Sequence, residues 1–362
     1  MIPVTRTHLP ELDVYTAYLK GMWESGVLTN NGPLVKQLGA ELSSALGVTH
    51  LQLVTNGTLA LQLAIKALGL QGEIITTPYS YVATTNSILW EGCTPRFVDV
   101  DAESFCIDPY LIEAAITEKT SAILATHVYG YPCDVDRIQE IADRHDLKVI
   151  YDAAHAYGVR LHGQSVLNHG DCSTLSFHAT KLFHTGEGGA IVFRDKEVAD
   201  GAFLMSKFGH LGEDDYIDLG INAKMSELHA AMGLSMLPHV SSIIEARRQC
   251  SAWYDEFLAG TRLQRPQVVS GLDYNYAYYP VVFETHQIAM AVREALNERG
   301  VFPRRYFHPS LNTLPFLDDA TRSLCPTSES LASRVLSLPL YTALSQKEIS
   351  MISTCIKNVL ES

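Results

Sequence analysis

Residues 176–189 read SFHATKLFHTGEGG and set Lys181 between His178 and His184, just ahead of a run of glycines. A lysine amine can stay a solvated charge or pair with a phosphate. It becomes a nucleophile towards carbonyls when burial or a neighbouring cation lowers its pKa. The glycines do not make this a phosphate-binding loop, because that pattern needs its lysine after the glycines and here it comes before. Nor do His178 and His184 have the spacing or the acidic companions of a zinc site, so no metal is expected.

The elements that must position Lys181 are legible as a rhythm. Two helical stretches, near 11–25 and 33–46, precede short apolar runs that alternate with helical patterns. THLQLV precedes TLALQLAIKAL, EIITTP precedes VATTNSILWEG, PRFVDV precedes DPYLIEAAI, and SAILATH precedes DVDRIQEIADRH; LKVIYD closes the series. Strands alternating with helices describe βαβ units, and apolar runs without polar alternation describe strands covered on both faces. The expected fold is α/β, with a mostly parallel central sheet, helices on both faces and a smaller C-terminal α+β domain. Beyond LKVIYD, the segments CSTLSF and GAIVFR read as strands and 223–260 as helical. YAYYPVVFE reads as a further strand, with helices near 286–299 and 346–360. Pro238 interrupts two helical patterns, which puts the expected boundary near 240: residues 1–240 as a large domain carrying the N-terminal helical segment, and 241–362 as a small one.

Open α/β sheets bind ligands beyond the carboxyl ends of their strands, so the residues just after each apolar run matter most. TNGT puts Gly57 and Thr58 at a helix start, where free N–H groups favour a phosphate, although Thr58 is equally able to serve as a plain helix cap. Tyr79 and Tyr81 follow a strand and offer rings for packing or for stacking on a flat ligand. Asp152 ends a strand expected to be central, where a carboxylate needs a positive partner or a capping role. His155 lies three residues on, and Ser176 lies five before Lys181. A phosphate site, a stacking ring, an acid for a ring nitrogen and a lysine for an aldehyde together match pyridoxal 5′-phosphate.

Composition narrows the class. The chain has 362 residues, 47% hydrophobic and 19% charged, and a formal charge of −13 from 27 basic and 40 acidic residues. Without a basic run, neither nucleic acid nor an anionic membrane is an expected partner. MIPVTRTHLPELDVYTAYLK is too polar for a signal peptide and no long apolar window follows, so a cytoplasmic location is expected. The 7 cysteines never fall as C-x-x-C and read as reduced thiols.

Taken in order along nearly the whole chain, IPVTR, LTNNGPLVKQLGAEL, TNGTLALQLA, TPYSYVATTNSI, DAAHAYG, SFHATKLFHTGEGGAIVF, GINAKMSELHAAMGL and RYFHPSL resemble the DegT-type nucleotide-sugar aminotransferases. Those are pyridoxal-phosphate enzymes of fold type I. The resemblance implies that Lys181 links covalently to the cofactor, that Asp152 holds the protonated ring nitrogen and that His155 lies near the ring hydroxyl. Tyr81 would stack on the ring, and Gly57, Thr58 and Ser176 would bind its phosphate. Asn222, in the G-x-N-x-K-M-S/T-E motif, would reach the neighbouring subunit's phosphate, which implies a homodimer with shared sites. Thr29 and Asn30 of the LTNNGP loop, with His184, Tyr306 and His308, are candidates for the substrate side; Tyr306 and His308 read equally well as surface or packing residues.

The implied reaction carries an amino group from L-glutamate, by way of the pyridoxamine form of the cofactor, to a nucleotide-linked keto-deoxysugar. Amination at C4 of dTDP-4-keto-6-deoxyglucose is preferred, and amination at C3 of a dTDP-3-keto-6-deoxyhexose is the alternative. Dehydratase relatives replace the lysine, so Lys181 counts against that outcome, and a non-catalytic regulator is the rival from another class. The chain departs from the family at Ile221, where Tyr is frequent, at SKFGH, which lacks a frequent arginine, and at Glu187, where many relatives carry Asp.

Overall fold

The structure is a computed structural model that describes residues 1–319 and 321–361. Its centre is a seven-stranded sheet built from β1 (Leu51–Val54), β2 (Glu73–Thr76), β3 (Thr94–Phe97), β4 (Thr120–Thr126), β5 (Lys148–Asp152), β6 (Cys172–Ser176) and β7 (Gly189–Phe193), in the order β1-β7-β6-β5-β4-β2-β3. The pairs β2·β3, β2·β4, β4·β5 and β5·β6 are parallel, whereas β7 runs antiparallel to both β1 and β6.

Twelve α-helices accompany these strands among the described residues. The first seven are α1 (Leu12–Ser25), α2 (Pro33–Leu46), α3 (Gly57–Ala67), α4 (Val82–Trp90), α5 (Pro109–Ala115), α6 (Val135–His145) and α7 (Lys196–Met205). The rest are α8 (Glu227–Met236), α9 (Val240–Phe257), α10 (His286–Glu298), α11 (Pro326–Arg334) and α12 (Gln346–Leu360). The central strands are covered on both faces, as their continuous apolar runs require. In β4, Ile123 and Ala125 pack with Ile138 and Ile141 of α6, while Ala122 and Leu124 pack with Leu61 and Ile65 of α3.

The last third of the chain builds a second core. Strands β8 (Tyr279–Val282) and β9 (Val335–Leu338) pair antiparallel, and Tyr254 of α9, Val292 of α10 and Ile352 of α12 pack in the same cluster. The expected division near 240 falls where a single 3-10 turn, Leu237–His239, joins α8 to α9. The start of the chain does not stay with the segment it was grouped with: Ile2–Pro3 pairs in parallel with Val301–Phe302, and Leu340 donates its N–H to Val4 O. Ile2 packs against the C-terminal core cluster, so the pairing takes apolar surface of the N-terminus out of water. Among the described residues no helix is long and apolar enough to cross a membrane.

Candidate active site

Because β1, β5 and β6 run in one direction, their carboxyl ends bring Gly57, Asp152 and Ser176 to one edge of the sheet. Strand β7 runs antiparallel to β6 and so starts at that same edge, with Gly189 opposite Ser176, which keeps the connection 177–188 and its Lys181 there. A cavity of about 700 Å³ opens there, and Gly57, Thr58, Tyr81, Asp152, His155, Ser176, Lys181 and Tyr306 all line it.

The ionisable groups in it oppose one another. Asp152 is buried; it accepts the Thr84 hydroxyl at 2.8 Å and the Ala154 N–H at 3.1 Å. Burial pushes its carboxyl above the usual carboxylate range, against the pull of those two donors and of Lys181. For Lys181 the balance is reversed in sign: desolvation lowers its amine, opposed by Asp152 first and by Tyr306 and Tyr81 after it. The His155 imidazole is held neutral, lowered well below its ordinary value by burial and by Lys181. Its Nδ1 is buried without a hydrogen-bond partner, a deficit that a ligand atom in the cavity would relieve.

At the opposite wall, α3 begins with its donors free. Asn56, not Thr58, caps the helix, its side chain accepting the Leu59 N–H at 2.9 Å. That settles the alternative for Thr58: its N–H and that of Gly57 find no acceptor among the described residues, as expected at a helix start. A Cβ on Gly57 would sit 2.8 Å from the Ser176 Cβ, so only glycine lets the two walls approach this closely. The free N–H pair, the Ser176 hydroxyl and the positive end of the helix dipole thus lie together on one wall of the cavity, an arrangement whose chemistry suits an anion. The glycines after Lys181 serve a different end: a Cβ on Gly189 would meet Asn56 C and O at 2.7 Å, so this residue lets β7 begin against the turn before α3.

The DegT/DnrJ/EryC1/StrS aminotransferase family matches residues 13–357. The chain belongs to that family. It is an aminotransferase of fold type I, the mixed α/β architecture already described, and the family implies pyridoxal phosphate as cofactor. It is 40% identical over 361 residues to the dTDP-4-amino-4,6-dideoxy-D-glucose transaminase of Shigella dysenteriae, covering 98% of each chain. It is 33% identical over 339 residues to the UDP-N-acetyl-3-dehydro-alpha-D-glucosamine 3-aminotransferase of Acidithiobacillus ferrooxidans, covering 93% of this chain and 90% of that one. The crystal structure of DesI in the presence of its TDP-sugar product superposes with a TM-score of 0.92 at 34% identity, covering 99% of this chain and 92% of that one.

Other site residues expected from the sequence fall outside the main cavity of this aminotransferase. His184 is buried with both nitrogens engaged: Nδ1 accepts the Gly186 N–H at 3.2 Å, and Nε2 donates to His8 O at 2.7 Å. It ties the N-terminal segment to the Lys181 loop and has no ring nitrogen left for substrate. His308 lines a neighbouring cavity instead. Thr29 and Asn30 are exposed and lie outside the lining of the main cavity; Asn222 is likewise exposed, its Oδ1 accepting from Lys224 Nζ at 2.7 Å. His178 does line the main cavity, with Nε2 at 3.7 Å from Glu187 Oε1. Among the described residues no group of three or more metal-ligating side chains is gathered.

Sequence reasoning missed an aromatic wall. Phe307 and Tyr278 line the cavity, and the His155 ring stacks on Phe307 at 5.4 Å between centroids and meets Tyr278 edge-on at 4.9 Å. Behind them the Tyr129 hydroxyl donates to Tyr306 O, so the Tyr79 hydroxyl, 2.8 Å away, donates to Tyr129. Phe307 sits inside the RYFHP segment, yet nothing in its spacing separated it from an ordinary core aromatic.

Proposed function

We propose that this aminotransferase uses pyridoxal 5′-phosphate to move an amino group from L-glutamate to a nucleotide-linked keto-deoxysugar, for amino-sugar biosynthesis. The preferred acceptor is dTDP-4-keto-6-deoxyglucose, aminated at C4. The observation that carries the reading is the set of three unlike sites around one cavity: an amine of lowered basicity, a buried carboxylate without a full cation, and an anion cradle. Each is costly alone, and one cofactor satisfies all three.

The phosphate would rest on the Gly57 and Thr58 N–H groups and the Ser176 hydroxyl. Asp152 would hold a protonated ring nitrogen, a cation that stabilises its ionised form. Tyr81, 58% exposed at the start of α4, has a ring face free for stacking, and His155 Nδ1 could take up the ring hydroxyl. When bound, the cofactor supplies a carbonyl for amine exchange and a conjugated ring that accepts the electrons of a broken Cα–H bond. Lys181 provides the amine that holds the carbonyl and, once released, moves the proton as general base and then general acid. Its lowered pKa keeps a larger neutral fraction ready for both tasks. The wall of Phe307, Tyr278 and Tyr306 limits water on the His155 side.

The sugar preference draws on the Shigella relative, and the C3 alternative draws on the Acidithiobacillus one. We also infer a homodimer, with Asn222 serving the partner's site. Asn222 is exposed beside Phe208, Leu211, Tyr216, Ile217, Leu219 and Ile221, an apolar stretch that a second copy would cover. The lysine and acid retained together disfavour a non-catalytic regulator. The deciding measurement is the absorbance of purified protein and turnover with L-glutamate and a panel of dTDP- and UDP-linked keto sugars. Lys181→Ala is expected to lose both the visible-edge band and all turnover; a variant that still turns over would sink the proposal.

A further inference from the structure

A second cavity, of about 790 Å³, adjoins the first and shares Tyr81, Tyr306 and Phe307 with it. Its lining includes Arg293, Arg304, Arg305 and His308, and no carboxylate. Among the described residues none of the three arginines makes an ion pair. The Arg305 guanidinium donates only to neutral acceptors, His308 Nδ1 at 3.0 Å, Ser333 O at 3.2 Å and Ala332 O at 3.4 Å, and its Nε is buried without a partner. Desolvation and then Arg293 lower the Arg305 guanidinium; desolvation and then Arg305 lower His308.

In a chain of net charge −13, a cavity lined by mutually repelling cations without an acid is a conspicuous imbalance. Such a cluster persists where a ligand supplies the missing negative charge. The start of α4 points the same way, since Tyr81 and Val82 bring its first N–H groups to this wall. Guanidinium forks match phosphate oxygens in pairs, and the cavity is large for a carboxylate alone. Phe302, 39% exposed in the lining, offers a ring against which a base can stack.

We infer that this second cavity takes the nucleoside diphosphate of the substrate, with the diphosphate against Arg293, Arg304 and Arg305, and so delivers the linked sugar past Tyr306 to Lys181. This rests on the proposed nucleotide-sugar reading and goes beyond it by naming the residues that bear the affinity. None of them is in the Lys181 cavity, and none was singled out by the sequence.

The test uses the holoenzyme with dTDP as calorimetric probe, alongside steady-state kinetics on the keto sugar that the wild type aminates. Arg304 is exposed and its backbone bonds to Ser337 need no side chain, so its variants should fold. Arg304→Glu is expected to weaken dTDP binding and raise the nucleotide-sugar KM by about 20-fold or more, with about fivefold effects for Arg304→Gln and Arg293→Gln, and partial rescue by Arg304→Lys. The KM for L-glutamate should move far less. Unchanged dTDP affinity in all variants would overturn the inference while leaving the wild-type reaction intact. A parallel rise in the glutamate KM would overturn it in favour of the donor's carboxylates. A wild type that neither binds dTDP nor aminates any nucleotide-linked sugar would instead remove the functional reading beneath it.

Discussion

Two carboxylates in this protein are nearly equally hidden and differently provided for. Glu227 is 1% exposed; its two oxygens accept the Leu34 N–H at 2.8 Å and the Val35 N–H at 2.9 Å, closing the start of α2. Asp152 is 6% exposed, and its donors are one hydroxyl and one N–H, beside a lysine whose own charge is disfavoured by burial. At Glu227 the fold answers the charge with a helix N-terminus, whereas at Asp152 it leaves the answer incomplete. The donors at the start of α3 show the same contrast from the other side: no carboxylate among the described residues reaches them as Glu227 reaches α2. Burial alone therefore does not mark a functional acid; an incomplete set of partners does.

The comparison breaks most readily at Glu227. Glu227→Ala strands two backbone donors at a buried helix start and is expected to cost about 3 kcal/mol of stability, read by chemical denaturation. Because the two stranded donors, Leu34 and Val35, directly follow the LTNNGP loop, that loop should loosen with them, seen as faster amide exchange over 27–35. A loss below about 1 kcal/mol would mean the cap is dispensable. At Asp152 the same kind of change should strike function instead. On the proposed role of Asp152, Asp152→Asn would remove a charge-assisted hydrogen bond of about 1.5–3 kcal/mol to the cofactor, so kcat/KM should fall roughly a hundredfold, without a loss of stability comparable to that of Glu227→Ala.

Gly57→Ala sharpens the contrast between the two helix starts. The new Cβ would press on Ser176 at 2.8 Å, so either the α3 terminus or the Ser176 wall must shift. Overpacking of this kind costs about 1–3 kcal/mol, which should appear as weaker retention of pyridoxal phosphate by roughly tenfold when the apoprotein is titrated and followed by absorbance. An unaffected affinity would argue that the phosphate lies elsewhere.

Much of this was legible because each central strand is an apolar run closed by a polar turn, and because ligand chemistry in such sheets gathers at the strand ends. That is how the sequence alone brings Asp152, Ser176 and Lys181 together. What was not legible has physical causes. In SESLASRVLSLPL, the helix α11 passes into β9 at Arg334–Val335 with no glycine or proline to mark the change. Helix α7, Lys196–Met205, likewise lies between GAIVFR and the region that reads as helical from 223, where the sequence reading places no element. Glu227 looks like any acid in a first turn; its partners lie almost two hundred positions away in sequence, in a different helix. His184 is a substrate-side candidate in the sequence, but three residues of loop after Lys181 are enough to turn its ring from the cavity to the N-terminal segment. The arginine cavity escaped because Arg293 comes from α10 and Arg304 and Arg305 from the segment before RYFHP's aromatic pair, so only folding makes them one cluster.

The smallest effect expected is also the most diagnostic of an unfinished site. Burial raises the Asp152 pKa in the folded chain, so the folded apoprotein binds this proton more tightly than the unfolded chain does. Well below the ordinary carboxylate range both states are protonated and the group contributes no pH dependence. As pH rises from that range towards the folded pKa, the unfolded chain ionises first, and stability drains from the folded state until Asp152 ionises there too. Asp152→Asn removes this drain. The apo variant should therefore match the apo wild type at the acid end and exceed it at neutral pH, measured by denaturant unfolding across the series. Adding pyridoxal phosphate should reverse the order, because only the wild-type carboxylate gains from a protonated ring nitrogen. If the two apoproteins keep the same stability at every pH, Asp152 is as fully satisfied as Glu227 and the contrast between them disappears.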